Sequence, residues 1–243
     1  AFLCGPAFAA GEEVLARVDQ QASFLDVDFA AKYQIVQDKP GEGRQVQLAM
    51  VYRRDKDQTY SIILQEPVQD KGKGYLKIGK SLWLFDPVSK RFTVTEAKAR
   101  FQNSNARNSD FTRLTLAEDY RIVNSSKVKL GTFNCDLHEL EAKTQELEVP
   151  RMKLWVSDDG LVRKYEDYSL SGQLLRVVQI PEYQSVGTRK VPVNILMIDM
   201  LRGKKIDGKM VQEKTVIRIS EPAFSPLPNL YFTKAFLEQQ AGS

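Results

Sequence analysis

The sequence predicts a mainly β, antiparallel, single-domain fold with few helices. Three observations carry this. Apolar and polar residues alternate with a period of two through most of the chain, and compact turn signals separate the alternating runs. No composition shift or linker marks a domain boundary. A length of 243 residues suits one large β domain, and a 42% apolar fraction is enough to build its core.

The first element is an exception to the alternation. From Glu12 to Gln21, Val14, Leu15 and Val18 fall on one face at helical spacing. The period then becomes two. Leu25, Val27, Phe29, Ala31, Tyr33 and Ile35 define a long half-exposed strand, and Pro40-Gly41-Glu42-Gly43 turns it. Val46, Leu48, Met50 and Tyr52 form the next run. After the turn at Arg54 to Asp57, Tyr60, Ile62 and Leu64 form a third.

Gly74–Ile78, Leu82–Phe85 and Phe92–Val94 continue the series, with Asp86-Pro87-Val88-Ser89 turning between the last two. Asn105 to Asp119 breaks the rhythm; Ser109 or Asp110 is placed to cap a short turn, and Thr115-Leu-Ala-Glu118 has capping-box spacing. Further runs are Tyr120–Asn124, Phe133–Leu140, Met152–Val156, Leu161–Tyr168, Gln173–Ile180, Thr188–Met200 and Lys209–Ser220. Asp159-Gly160, Ser171-Gly172 and Asp207-Gly208 are hairpin signals between them. Pro222 to Pro228 reads as extended, and Leu230, Phe232 and Phe236 follow as packing residues.

Composition narrows the function. Two cysteines cannot build a disulfide framework, and one histidine is too few for most zinc sites or His relays. A net charge of +4 is too small to argue nucleic-acid binding by itself. The longest apolar candidate, Val191–Leu201, is broken by Asn194 and Asp199 and falls short of the ~18 residues of a membrane helix. No nucleophile elbow, phosphate loop, dinucleotide fingerprint or His-Glu-x-x-His motif occurs.

Three weaker features remain. Cys135 and His138 suggest a thiol–imidazole pair, but residues three apart in a strand point to opposite faces, which favours a packed thiol and a surface imidazole. Asp158-Asp159 precede Gly160 and read as turn formers rather than paired catalytic carboxylates. Lys71 to Arg107 holds nine basic and two acidic residues, interleaved with Tyr75, Trp83, Phe85, Phe92 and Phe101. That mixture fits single strands of nucleic acid, anionic headgroups, or simply the solvated face of half-buried strands.

The opening Ala1-Phe-Leu-Cys4-Gly-Pro-Ala-Phe-Ala-Ala10 is apolar, ends in small residues and turns polar at Gly11. It reads as the end of an export signal or a tether over residues 1–9. Cys4 offers lipidation as a second reading, although Leu3 stands where a lipoprotein signal prefers a small residue.

Three stretches together resemble the outer-membrane lipoprotein-sorting protein family, with its LolA/LolB-like fold. They are Gly74-Tyr-Leu-Lys-Ile-Gly-Lys-Ser-Leu-Trp-Leu-Phe-Asp-Pro-Val-Ser-Lys-Arg91; Asn108-Ser-Asp-Phe111 with the short helix after it; and Leu154-Trp-Val-Ser-Asp-Asp-Gly160 with the closing Tyr231-Phe-Thr-Lys-Ala-Phe-Leu237. The resemblance spans about residues 12–238. It implies an unclosed antiparallel half-barrel of about eleven strands, with a few helices as a lid over a hydrophobic cavity, in a lipid-binding domain at residues 10–240. It implies no cofactor and no metal, and partners that are acyl chains of lipoproteins or phospholipids and a membrane surface, not nucleic acid. The implied location is the periplasm or the outer membrane.

On this reading Leu48, Met50, Tyr52, Ile62 and Leu64 line the apolar face of early strands. Trp83, Phe85 and Phe92 cluster near the lid, and Trp155, Ile195 and Met197 cover the later strands. Met50, Met197, Met200 and Met210 suit a cavity that adapts to its ligand. Ser109, Asp110 and Phe111 dock the lid, with Arg91 as the expected partner of Asp110. The leading function is non-enzymatic binding and transfer of lipids or lipoproteins in the bacterial envelope. The alternatives are a lipid-acting hydrolase, a phospholipase or esterase, in the same groove, and an envelope sensor or scaffold that recognises lipoproteins.

Overall fold

The computed structural model describes residues 7–241, with side chains from residue 11. Helix α1 (Ala7–Ala22) opens the described residues and starts ahead of the expected Glu12. Strands β1 (Phe29–Lys39), β2 (Gly43–Arg54), β3 (Thr59–Glu66), β4 (Gly74–Ile78), β5 (Ser81–Asp86) and β6 (Arg91–Val94) follow. A long connection carrying α2 (Leu116–Asp119) leads to β7 (Tyr120–Leu130), β8 (Phe133–Ala142), β9 (Arg151–Ser157), β10 (Val162–Tyr168), β11 (Leu174–Val186), β12 (Arg189–Ile206) and β13 (Lys209–Phe224). Helix α3 (Lys234–Gln240) closes the described chain.

Among the described residues all thirteen strands belong to one antiparallel sheet, ordered β6-β5-β4-β3-β2-β1-β13-β12-β11-β10-β9-β8-β7. Every pair of neighbouring strands is consecutive in sequence except β1 with β13, so the first and last strands meet in mid-sheet. The edges are β6 and β7, which do not pair. The sheet is therefore unclosed and larger than the expected eleven strands. Its later strands also run further than the alternation indicated, β12 to Ile206 and β13 to Phe224.

The sheet is strongly curved. Tyr60 and Leu64 of β3 share one apolar cluster with Val178 of β11. Five strand spacings lie between β3 and β11, roughly 24 Å if the sheet were flat. The adjacent residues Asp110 and Phe111 contact Arg176 of β11 and Tyr60 of β3 respectively, so the sheet bends its two halves toward each other. Phe29, Tyr33 and Ile35 of β1, Ala49 and Val51 of β2, and Ile217 and Ile219 of β13 face the same inner side.

The connection from Val94 to Tyr120 leaves one edge and enters the other, crossing the inner side of the gap. Phe101, Ala106 and Phe111 drop from it into the core, and Leu116 follows into a second cluster with Leu15 and Val18 of α1. The outer side has its own cover. Phe236 and Leu237 of α3 pack on Ile63, Leu76 and Phe85, with Tyr52, Trp83, Phe92 and Tyr231 around them. So the helices divide, α1 and α2 inside and α3 outside.

An arginine fixes the approach to α3. Arg54 donates to both carboxylate oxygens of Asp28 at 2.9 and 2.8 Å, to the Leu227 carbonyl at 2.6 Å and to Asn229 Oδ1 at 2.6 Å, and stacks 4.4 Å over the Phe232 ring. Asp28 in turn accepts from the Leu227 amide at 2.8 Å. Thr233 then caps α3 by accepting from the Phe236 amide.

Candidate functional site

The inner side is filled unequally. Over β1–β5, the Phe101 and Phe111 rings meet at a tilt with centroids 4.7 Å apart, Phe101 meets Tyr75 at 4.6 Å, and Phe111 packs near Tyr33 and Tyr60. These rings plug that half of the curve. Over β9–β13 no such plug exists, and a cavity of about 330 Å³ remains, within the roughly 300–1,000 Å³ of small-molecule sites.

Leu154, Val162, Val178, Ile180, Ile195, Met197, Ile217 and Ile219 form its floor. Val18, Gln21 and Ala22 of α1, residues 109–116 of the crossing segment and Leu147–Val149 form its roof. The walls are mostly apolar. Such a space favours an apolar guest, at about 0.8 kcal/mol per methylene transferred from water.

One end is charged. Arg176 of β11 donates from Nη1 and Nη2 to the Asp110 carboxylate at 2.7 and 3.1 Å, and from Nε to Asp167 at 2.9 Å. The Arg107 amide donates to Asp110 at 2.7 Å, and its guanidinium meets Glu148 at 2.9 Å. Burial opposes the charge on Arg176, but Asp110, Tyr165 and Asp167 beside it hold its proton firmly. Burial pushes the carboxyls of Asp167 and Glu148 above their ordinary range. One oxygen of Asp167 has no hydrogen-bond partner. This cluster ties the crossing segment to β10 and β11, so the roof is anchored to the floor at its polar end.

The other tie is Asp19 near the end of α1. Its two oxygens accept from the Leu116 and Ala117 amides, each at 2.9 Å, and so cap α2 from outside its own chain segment. Burial raises the Asp19 carboxyl above its usual value. The capping box expected within Thr115–Glu118 does not form; Thr115 instead donates to Asp119 at 2.6 Å.

The structure gathers Ile195, Met197, Ser109, Asp110 and Phe111 at the cavity. Ile62 and Leu64 face the same side but lie under the aromatic plug, away from the cavity. Leu48, Met50 and Tyr52 point outward, because in β2 the buried inner positions are Gln47, Ala49, Val51 and Arg53. Trp83, Phe85 and Phe92 are likewise outside, packed with α3, where Lys234 sits 4.6 and 5.0 Å over Trp83 and Phe92. Trp155 is outside under Lys164, while its neighbours Met152 and Leu154 line the cavity. Of the methionines, Met197 alone among those four lines it; Met210 is 53% exposed.

Asp110 pairs with Arg176 rather than Arg91, which stands opposite Asp86 in the β5–β6 ladder. His138 is buried rather than on the surface. Its Nδ1 meets Ser125 Oγ at 2.8 Å, and burial lowers its pKa. Cys135 is a buried free thiol, raised by burial. Asp159 closes its turn by accepting from the Leu161 amide at 3.2 Å. Cys4 lies outside the described residues.

Among the described residues no group of three or more His, Cys, Asp or Glu is placed to hold a metal, and no helix is long and apolar enough to cross a membrane. The alternation pattern did not reveal Arg176, Asp167, Arg107 or Glu148. The available signal was Arg176 itself, a charge inside the apolar run Leu174-Leu175-Arg176-Val177-Val178.

An open, curved antiparallel sheet with an inner helical roof over an apolar cavity is a half-barrel of LolA-like fold. Solved structures agree. A LolA superfamily protein from Nitrosomonas europaea superposes with a TM-score of 0.75 at 21% identity, covering 93% of this chain and 98% of that one. A domain described as an outer membrane lipoprotein-sorting protein from Vibrio parahaemolyticus gives 0.80 at 16% identity, covering 95% and 99%. A DUF1329 family protein from Desulfovibrio piger gives 0.81 at 19% identity, covering 96% and 100%. No curated protein sequence matches. The chain belongs to the family described as "uncharacterized protein"-like, whose model matches residues 56–239.

Proposed function

We propose that the protein is a non-enzymatic carrier that takes up acyl chains of lipids or lipoproteins in the bacterial cell envelope. The observation that carries this reading is the apolar cavity between α1, the crossing segment and β9–β13, roofed on one side and charged at one end. An acyl chain has the chemistry to fill such walls, and each buried methylene contributes about 0.8 kcal/mol. The neighbours whose descriptions name LolA and lipoprotein sorting support the same reading. An exported, periplasmic or outer-membrane-associated location follows from it, as does residues 10–240 acting as one lipid-binding unit.

Ile195 and Met152 line the cavity and are only partly buried, so a charge there disturbs binding more than folding. Protein purified from a bacterial host is expected to yield bound lipid on organic extraction and mass spectrometry. Ile195→Glu and Met152→Glu are expected to abolish it, whereas Leu48→Glu, on the outer face, is expected to retain it. Retention of lipid in both cavity variants, or absence of lipid from the parent together with no uptake of a fluorescent fatty acid, overturns the reading.

A further inference from the structure

The β12–β13 hairpin outruns both of its neighbours. Pairing of β12 with β11 ends at Asp199 opposite Arg176, and pairing of β13 with β1 ends at Lys214 opposite Asp38. Beyond these points the two strands pair only with each other, through Gly203–Gln212, Lys204–Val211, Lys205–Met210 and Ile206–Lys209. Asp207 and Gly208 turn the tip with positive φ angles of 49° and 77°, as a two-residue hairpin requires. Every residue from 201 to 211 is exposed.

Bare ribbons are ordinarily polar. This one exposes Leu201, Ile206, Met210 and Val211 beside Arg202, Lys204, Lys205 and Lys209, against the single acid Asp207. Directly opposed residues share a face, so each face carries both kinds: Ile206 with Lys209, and Met210 with Lys205. Neither face is a dry apolar surface for a protein partner. The edges are also poor templates for strand addition, since lysines guard them and a register shift between Ile198 and Gly203 twists the ribbon. Gly203 makes the shift possible: a Cβ there meets the Val211 carbonyl oxygen at 2.4 Å.

Apolar side chains interleaved with several cations fit an anionic bilayer surface, where the former enter the headgroup boundary and the latter meet lipid phosphates. We infer that residues 201–211 form a ribbon that docks the protein on anionic lipid membranes. This goes beyond the carrier reading and does not rest on the cavity being occupied.

The test is co-sedimentation of the purified protein with vesicles of phosphatidylcholine and phosphatidylglycerol, compared with phosphatidylcholine alone. Binding is expected to the anionic vesicles only and to weaken as salt is raised. A triple variant, Lys204→Glu, Lys205→Glu and Lys209→Glu, is expected to lose about tenfold or more in affinity. Ile206→Ser with Met210→Ser is expected to weaken it as well. Both are expected to keep the parent's thermal transition and its uptake of a fluorescent fatty acid, since the ribbon covers no core. Conversely, Ile195→Glu is expected to lose fatty-acid uptake and keep vesicle binding, so the two readings fail separately. Parent-like binding by the triple variant, indifference of the parent to anionic vesicles, or capture of a soluble protein along the ribbon with no vesicle binding overturns the inference.

Discussion

Asp110 and Arg176 stand 66 residues apart in sequence, yet two hydrogen bonds of 2.7 and 3.1 Å join them at the charged end of the cavity. Their side chains are only 11% and 9% exposed. Removing one member of such a pair leaves the other as an uncompensated buried charge, at a cost of about 3–5 kcal/mol. Asp110→Ala is therefore expected to lower the unfolding free energy by about that amount, and Asp110→Asn, which can still accept a hydrogen bond, by less. Denaturant titration measures both. An Asp110→Ala protein as stable as the parent removes the pair from the account of how the roof is held.

The second tie predicts a local effect. Asp19→Ala leaves the Leu116 and Ala117 amides without acceptors, and loss of a helix cap costs about 1 kcal/mol. Amide hydrogen exchange at those two positions is expected to quicken more than exchange in β1 or β13, and fluorescent fatty acid is expected to leave the cavity faster. Unchanged exchange at Leu116 and Ala117 contradicts the geometry.

Alternation made the strands readable, but parity was harder to assign. In β2, Leu48, Met50 and Tyr52 are larger than Gln47 and Ala49 and looked like the core face, yet they are the outer face, partly screened there and, for Tyr52, covered by α3. The same trap caught Trp83, Phe85 and Phe92. A helix more than a hundred residues later in the chain creates a second apolar face, and local pattern carries no trace of it. Asp110–Arg176 was hidden for a related reason: Arg91 was nearer in the motif, while the pairing partner comes from a strand brought opposite only by the sheet's curvature. Met197 and Ile195 were found because β12 is central and apolar on both faces, so at least one parity had to face the cavity.

Asp28 gives the fold a pH-dependent contact. The Arg54 hydrogen bonds, followed by the Leu227 amide, hold its carboxyl below the ordinary aspartate value even though burial works against them. A depressed folded-state pKa means the contribution is complete above the unfolded value of about 3.9 and is lost as pH falls through the folded one. The stability gap between the parent and Asp28→Asn is thus expected to be constant near neutrality and to shrink below about pH 4. Unfolding curves of the two proteins between neutral and acidic pH test this; a gap that widens on acidification refutes the sign.

Gly74 sets how closely α3 lies on the outer face. A Cβ at this position stands 2.8 Å from Leu237 Cδ2, closer than Cβ contacts come, and a tight 3.1 Å from Cδ1. Leu237 is fully buried against Ile63, Leu76 and Phe85, so moving its side chain disturbs that packing. Gly74→Ala is expected to cost about 1–3 kcal/mol as overpacking. Leu237→Ala alone should cost about 2–5 kcal/mol as a cavity. In the double variant the new methyl occupies part of the space that Leu237 vacates. The double variant should then lose less than the sum of the two single losses, with a coupling of about 0.5–3 kcal/mol. Strict additivity in the double-mutant cycle would mean that α3 yields as a body instead of meeting β4 at this point. Fatty-acid uptake is expected to stay at the parent level throughout, because the sheet separates this contact from the cavity.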